Sequence, residues 1–168
     1  MRGNAMKDNY YDTAQICLNG HTVNSNAISS PQLNQKHCAE CGKQTITKCP
    51  ACNTAIRGYY TPAGSFELYG YYYKPAYCHN CGEAFPWTTS SLKAASELVD
   101  ELEALNPEEK QQLKDSFPDI VKDTPKTVVA GTRFKRLMEK AGAEAYDGMK
   151  SILINVVSEA VKKSVFGP

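Results

Sequence analysis

All seven cysteines of this 168-residue chain lie within the 65 residues from Cys17 to Cys81, and no other sequence feature limits its fold as strongly. Six of them form three C-x-x-C pairs, and the seventh lies four residues before a histidine. Two residues between two cysteines make a tight turn that directs both sulfurs to one point, which is half of a structural zinc site. Four such half-sites predict two tetrahedral sites and two Zn²⁺ ions per chain.

Consecutive pairing of the half-sites is the favoured arrangement. The first site then contains Cys17, His21, Cys38 and Cys41, and the second contains Cys49, Cys52, Cys78 and Cys81. The gaps inside the two sites, sixteen and twenty-five residues, can each hold a short hairpin that returns the chain to the metal, as in a zinc ribbon. The alternative joins the two central half-sites across seven residues. The outer two would then meet across most of the domain, at a higher cost in loop-closure entropy.

The histidine of the first site is the least determined ligand. His21 follows Gly20, whose backbone freedom lets the chain turn sharply and bring an imidazole to the metal. His37 directly precedes Cys38 and is an alternative ligand for the same position. His79 lies inside the last half-site, where a side chain usually points outward, so we expect a solvated surface histidine.

The cysteine pattern favours metal binding over disulfides or redox chemistry. Seven is an odd number, and residues 1–7 contain no apolar segment, so we expect no signal peptide. In a cytoplasmic protein, clustered thiols are more often metal ligands than disulfides. A thioredoxin-type C-x-x-C follows a strand in a βαβ unit, and no such unit is indicated here.

The charge balance gives little support to nucleic-acid binding. Residues 1–88 carry seven Lys/Arg and five Asp/Glu, and residues 89–168 carry twelve and thirteen. Seven thiolates and two Zn²⁺ ions would change the charge of the first segment from +2 to −1. Phosphate neutralisation needs a basic surplus, which neither segment provides. Zinc-ribbon analogy still keeps nucleic-acid binding as an alternative, with a local patch of Lys36, Lys43, Lys48 and Arg57.

Residues 1–88 are predicted to form the β-rich zinc-ribbon domain. Short strands are expected at 10–16 and 45–47, a polar loop at 22–36, and a hairpin over 56–77 with its turn near 62–64. Nine of the ten tyrosines lie in residues 1–77. Tyrosine suits half-exposed strands and can cover a metal site, but exposed aromatics also mark interfaces. Candidate partner-binding residues are Tyr59, Tyr71 and Tyr73, the last two on one strand face and Tyr72 on the other.

Composition changes after Trp87, and residues 89–168 are predicted to form an α-helical domain of three to four helices. Residues 88–91 can cap a first helix, whose apolar residues recur at three- and four-residue steps as far as Leu105. Asn106, Pro107 and Glu109 signal the start of a second helix, which Phe117-Pro118 should end. A third helix should begin near Pro125. The predicted fold class is therefore α+β, a double zinc ribbon followed by helices.

The fourth predicted helix has an apolar stripe over nearly half its circumference, from Ala145 to Ala160. A stripe this wide on so small a domain needs cover, so we expect self-association or a protein partner at Ile152 and Val156. A membrane surface is the alternative occupant, because Lys150, Lys162 and Lys163 lie close to the stripe. No apolar run approaches the roughly 20 residues that span a bilayer.

Three sequence runs resemble a bacterial protein family. They are Y-D-T-A-Q-I-C-L-N-G-H at 11–21, K-C-P-A-C-N-T-A-I-R-G-Y-Y at 48–60 and Y-C-H-N-C-G-E-A-F-P-W-T at 77–88, and the helical segment resembles the same family in D-T-P-K-T-V-V-A and V-S-E-A-V-K-K. The family is known as domain of unknown function 2321. The resemblance implies a cytoplasmic bacterial zinc-ribbon protein and supplies no catalytic residue.

These features together predict a zinc-binding interaction or assembly module, not an enzyme. Catalytic zinc keeps one coordination position open, whereas both predicted sites can be filled by four protein ligands. The sequence has no H-E-x-x-H, G-x-S-x-G or P-loop motif, and Glu67 and Glu83 are isolated acids.

Overall fold

The computed structural model describes residues 10–63 and 71–167 of the chain. Within them, short antiparallel strands come first and helices follow, so the predicted α+β class is confirmed. The chain divides into two compact units, Met1–Trp87 and Thr88–Pro168. No helix in the described part of the chain is both long and apolar enough to cross a bilayer.

The described part of the first unit contains two small sheets. One pairs β1 (Tyr10–Thr13) with β5 (Arg57–Thr61), and Tyr11 lies opposite Tyr60. The other has the order β3–β2–β4, with β2 at Gln15–Cys17, β3 at Thr22–Asn24 and β4 at Thr45–Ile46. The predicted strand at 10–16 is therefore divided at Ala14 between β1 and β2, and the Ala14 N–H donates to the Ile56 carbonyl (2.9 Å) next to β5.

Two predictions for the first unit were wrong in detail. The described part of the predicted 56–77 hairpin has no return strand: β5 pairs with β1, and residues 71–77 contribute only the bridge between Tyr77 and Ala84. The predicted turn ends at Gly64, and residues 64–70 lie outside the described part of the chain. The predicted 22–36 loop contains β3 and a short 3-10 turn at Pro31–Leu33.

Buried polar side chains hold this loop against the strands. The carboxylate of Asp12 accepts hydrogen bonds from the N–H groups of Ile28 (3.0 Å) and Ser29 (3.1 Å) and from the Ser29 hydroxyl. Burial alone would raise the pKa of Asp12, but these hydrogen bonds outweigh it and lower the pKa. Asn24 donates to the Ser30 carbonyl (2.9 Å), so a segment with little apolar content is still fixed.

The second unit is helical. Its elements are α1 (Pro86–Asp100, which begins in the last two residues of the first unit), α2 (Pro107–Lys114), α3 (Phe117–Lys122), α4 (Thr127–Ala141), α5 (Ala143–Leu153) and α6 (Glu159–Val161), which continues as a π-helical turn at Lys162–Phe166. The predicted capping box is present: Glu109 N–H donates to the Asn106 side chain (2.9 Å), and Asn106 N–H donates to the Glu109 carboxylate (3.0 Å).

The number and ends of the helices differ from the prediction. Phe117-Pro118 begins α3 instead of ending α2, because a proline in the first helical turn has no N–H that needs a partner. Helix α1 likewise begins at Pro86, two residues before the predicted caps. The prediction of one long fourth helix was wrong as well. Helix α5 ends at Leu153, and a turn at residues 154–158 precedes α6.

Much of the apolar stripe of that predicted helix is core. Val156 is only 3% exposed, and Met149 and Leu153 are also buried. Ile152 is half-buried. The turn at 154–158 folds the stripe back into the unit, where Phe134 packs edge-on to Phe166 at 5.5 Å between ring centroids. Val156 therefore has almost no surface left for a partner or a membrane, which corrects its assignment as a partner-binding residue.

Candidate metal centre

Three C-x-x-C turns in the first unit have the same backbone structure. In each, the N–H of the first cysteine donates to the carbonyl five residues later, with lengths of 2.8 Å at Cys38, Cys49 and Cys78. The N–H four residues after the first cysteine donates back to that cysteine's carbonyl at 2.8–2.9 Å. An antiparallel bridge closes each turn, as between His37 and Gln44. We call these three turns the knuckles.

One left-handed residue makes each knuckle possible. It directly follows the second cysteine and has φ of 70° at Gly42, 62° at Asn53 and 75° at Gly82. Glycine and asparagine are the residues that adopt this backbone at least cost. The sequence therefore encodes the turn as C-x-x-C followed by Gly or Asn, which makes the signal more specific than the cysteine spacing alone.

The fourth half-site is built differently. Cys17 ends β2, and the chain turns through Gly20, with φ of 90°, to His21 just before β3. The N–H of His21 donates to the Cys17 sulfur (3.2 Å), and the N–H of Cys17 donates to the His21 carbonyl (3.0 Å). The β2–β3 connection therefore fixes a sulfur and an imidazole side by side.

The structure brings the predicted ligands together in the two favoured groups. Site 1 consists of Cys17, His21, Cys38 and Cys41, and site 2 consists of Cys49, Cys52, Cys78 and Cys81. Within each group the ligand atoms all lie within 4.8 Å of one another. Each site can hold a metal ion, and the pairing agrees with consecutive use of the half-sites.

Distances inside the sites fit coordination and not disulfide bonding. In site 1 the Nδ1 of His21 is 3.6 Å from the sulfurs of Cys17 and Cys38, and the Cys17 and Cys41 sulfurs are 3.7 Å apart. In site 2 the Cys49–Cys81 and Cys52–Cys78 sulfur distances are 3.8 and 3.6 Å. A disulfide bond is about 2.05 Å long, and all seven cysteines are free.

The thiols of site 2 resist simultaneous ionisation unless a cation is present. The Thr54 hydroxyl and then its N–H lower the pKa of Cys52 to about 6. At Cys81 the Glu83 N–H also acts to lower the pKa, but desolvation and the three neighbouring thiols outweigh it and raise the pKa to about 12. Four sulfurs in contact cannot all be thiolates without a positive charge between them, which is the condition that a bound metal ion satisfies.

A family model described as an uncharacterized protein conserved in bacteria (DUF2321) matches residues 10–165. The chain belongs to this family. The match spans the metal-site unit and nearly all of the helices, which confirms the resemblance seen in the sequence. Neither the curated proteins nor the solved structures contain a match to this chain.

The other two histidines lie outside the sites of this family member. His37 is exposed, and its backbone forms the bridge to Gln44, so its side chain does not join the sulfurs of site 1. His79 is exposed at the tip of its knuckle, as expected. The structure therefore favours His21 over His37 as the fourth ligand of site 1.

The candidate tyrosines are not brought together with the metal ligands. Tyr71 and Tyr73 are 90% and 63% exposed, while Tyr72 is half-buried and its hydroxyl donates to the Arg57 carbonyl (2.9 Å). The predicted alternation of their side chains is therefore present without a regular strand, and burial raises the pKa of Tyr72. Tyr59 is half-buried in β5 and offers less surface.

The residues that support the Gly20 turn of site 1 were not predicted from the sequence. Lys74 donates to the Gly20 carbonyl (2.7 Å), and its ammonium lies over the ring of Trp87. Trp87 is 1% exposed, donates its indole N–H to the Pro75 carbonyl (2.9 Å) and stacks on Phe85 at 4.6 Å. A single tryptophan next to the last C-x-x-C pair was the available signal for this core.

Proposed function

We propose that this protein is a structural zinc protein whose first unit is held by two Zn²⁺ ions and presents a surface to a protein partner. The observation that carries the proposal is the convergence of eight predicted ligand atoms in two groups of four. Structural zinc sites have this composition, Cys₃His in site 1 and Cys₄ in site 2.

The spacing of the ligand atoms supports zinc. Zn–S and Zn–N bonds of about 2.3 and 2.05 Å set tetrahedral edges of about 3.8 Å between sulfurs and about 3.6 Å between sulfur and nitrogen. The measured separations of 3.6–3.8 Å between sulfurs and 3.6 Å between sulfur and nitrogen are close to these values. Thiolate sets also bind iron, so identification of the metal belongs in the test.

The ligand count supports a structural role over a catalytic one. A catalytic zinc ion has three protein ligands and an open position for water or substrate. Here each group supplies four ligands, and of these eight side chains four are buried, three are partly exposed and only Cys81 is exposed. Free thiols throughout the sites are also consistent with the reducing cytoplasm as the working compartment.

Among the residues that the structure describes, the most exposed aromatic side chains lie on the first unit, and we assign the partner surface there. Tyr71 and Tyr73 project into solvent, and Tyr11 and Tyr60 form a half-exposed cross-strand pair with ring centroids 4.9 Å apart. Arg57 lies over the Tyr11 ring at 4.9 Å. Tyrosine and arginine are enriched in protein interfaces, which favours a protein partner for this surface.

Metal analysis of the purified protein tests the proposal. We expect two zinc ions per chain, and one zinc ion per chain in Cys81→Ser, because removal of one ligand disables site 2 and leaves site 1 intact. Iron in place of zinc would refute the metal assignment, and a chain purified without metal would refute the structural role. Val129→Ala, a change on the exposed face of α4, is the matched control and should retain both ions.

A further inference from the structure

The outer ring nitrogen of the imidazole in site 1 faces a carboxylate. His21 directs Nδ1 at the sulfurs of Cys17 and Cys38, and its Nε2 lies 3.5 Å from Oε2 of Glu40. Glu40 belongs to the first knuckle, one residue before Cys41. The same short segment thus supplies two sulfur ligands to site 1 and a carboxylate beside its histidine.

The polar partners of the ligands follow one chemical rule. Sulfur ligands face donors: the His21 N–H donates to the Cys17 sulfur (3.2 Å), the Asn19 side chain lies beside Cys41, and those of Thr54 and Asn80 lie beside Cys52. The imidazole instead needs an acceptor for the N–H that is not used by the metal, and Glu40 is the carboxylate beside it. Each partner therefore matches its ligand, with donors beside sulfur and an acceptor group beside the imidazole nitrogen.

Equivalent positions of the knuckles sharpen this comparison. The residue before the second cysteine is Glu40 in the first knuckle, Ala51 in the second and Asn80 in the third. Only the first knuckle belongs to the site that contains a histidine, and there the position holds a carboxylate. In the all-cysteine site the same position holds an amide beside the Cys52 sulfur in one knuckle and alanine in the other.

We propose that Glu40 is the positioning residue of site 1: it accepts the Nε2–H of His21 and so holds Nδ1 toward the metal. This inference rests on the proposed zinc function. Carboxylate partners of metal-bound histidines fix the tautomer and ring orientation, and their loss typically lowers metal affinity 10- to 100-fold. The effect should be confined to site 1.

Competition with a chromogenic chelator on the full chain measures the affinities of the two sites for Zn²⁺. Glu40→Ala should weaken one of the two sites about 10- to 100-fold and leave the other unchanged. Glu40→Gln keeps an acceptor oxygen and should recover much of the loss. Asn80→Ala is the reciprocal control and should weaken only the other site.

Nitrogen-15 NMR of labelled histidine identifies which site is affected. It also reports on the His21 ring nitrogens directly, and this signal would not change if Glu40 only stabilised the fold. In the unmutated protein His21 should be metallated at Nδ1 with a protonated Nε2, and the Nε2 proton should exchange faster with water in Glu40→Ala. Equal affinities in Glu40→Ala and the unmutated protein, or equal weakening of both sites, would overturn the inference while leaving two-zinc binding intact. Absence of metal from the unmutated protein would instead overturn the proposed function.

Discussion

The two units differ in what fills their interiors. Among the described residues, eight of the twelve largest fully buried side chains belong to the helical unit, including Phe117, Phe134 and Met149. The first unit has four, Ile16, Ile56, Phe85 and Trp87. The helical unit can therefore rely on apolar burial, whereas the first unit combines a small core with two ligand clusters and a buried polar network. Similar chain lengths thus reach a defined fold by different physical means.

Metal removal should give the largest difference in stability between the two units. Structural zinc contributes folding free energy on the order of 10 kcal/mol per site in small domains. A strong chelator should therefore unfold the first unit and leave the helical circular dichroism of the second unit largely unchanged. Amide NMR spectra recorded before and after chelation distinguish the two. Loss of both sets of signals together would contradict independent stabilisation.

A core truncation in the helical unit should give the opposite result. Phe134 is fully buried and packs against Phe166, so Phe134→Ala should destabilise the second unit by about 3–5 kcal/mol. Thermal unfolding by circular dichroism measures this loss. Val129→Ala, on the same helix at a 61% exposed position, should stay within about 0.5 kcal/mol. Release of zinc from Phe134→Ala before its helices melt would contradict the comparison.

Glycine substitutions separate backbone strain from packing within the first unit. Gly42 has φ of 70° with open space around it, so Gly42→Ala should cost only the left-handed backbone term, about 1 kcal/mol. Gly20 has φ of 90°, and an added Cβ would lie 2.7 Å from the Trp87 Cβ, so Gly20→Ala should cost about 2–3 kcal/mol.

Denaturant unfolding of the zinc-loaded protein measures both glycine variants. Gly42→Asn is the control, because Asn53 already occupies the equivalent knuckle position with φ of 62°. It should be close to neutral. Equal losses in Gly20→Ala and Gly42→Ala would show that the Trp87 contact adds nothing to the strain.

Local chemistry was predictable from the sequence, and distant strand pairing was not. The knuckles and the Asn106–Glu109 capping box depend on residues within a few positions of each other, and both appear where the sequence places them. The partner of β5 is β1, more than forty residues earlier, and no local pattern specifies that choice. The predicted 56–77 hairpin considered only the segment that follows β5, and so it missed the pairing with β1.

The predicted helix ends were wrong because the same sequence signal fits more than one helix boundary. Pro118 was interpreted as a terminator, although proline also suits a first helical turn, where it occurs in α3. The apolar period from Ala145 to Ala160 continued past residue 153 although the helix did not. Core residues are required on both sides of such a break, so periodicity alone does not reveal it.

Trp87 makes the first unit suitable for optical measurement. It is the only tryptophan in the chain, and its ring is sealed by Phe85, Lys74 and the Gly20 turn. Indole fluorescence shifts to longer wavelength when the ring meets water, so emission from this one side chain can be followed during metal uptake and release without any added label. Because tyrosine emission can be avoided by excitation at long wavelength, the signal would come from the zinc-site unit alone.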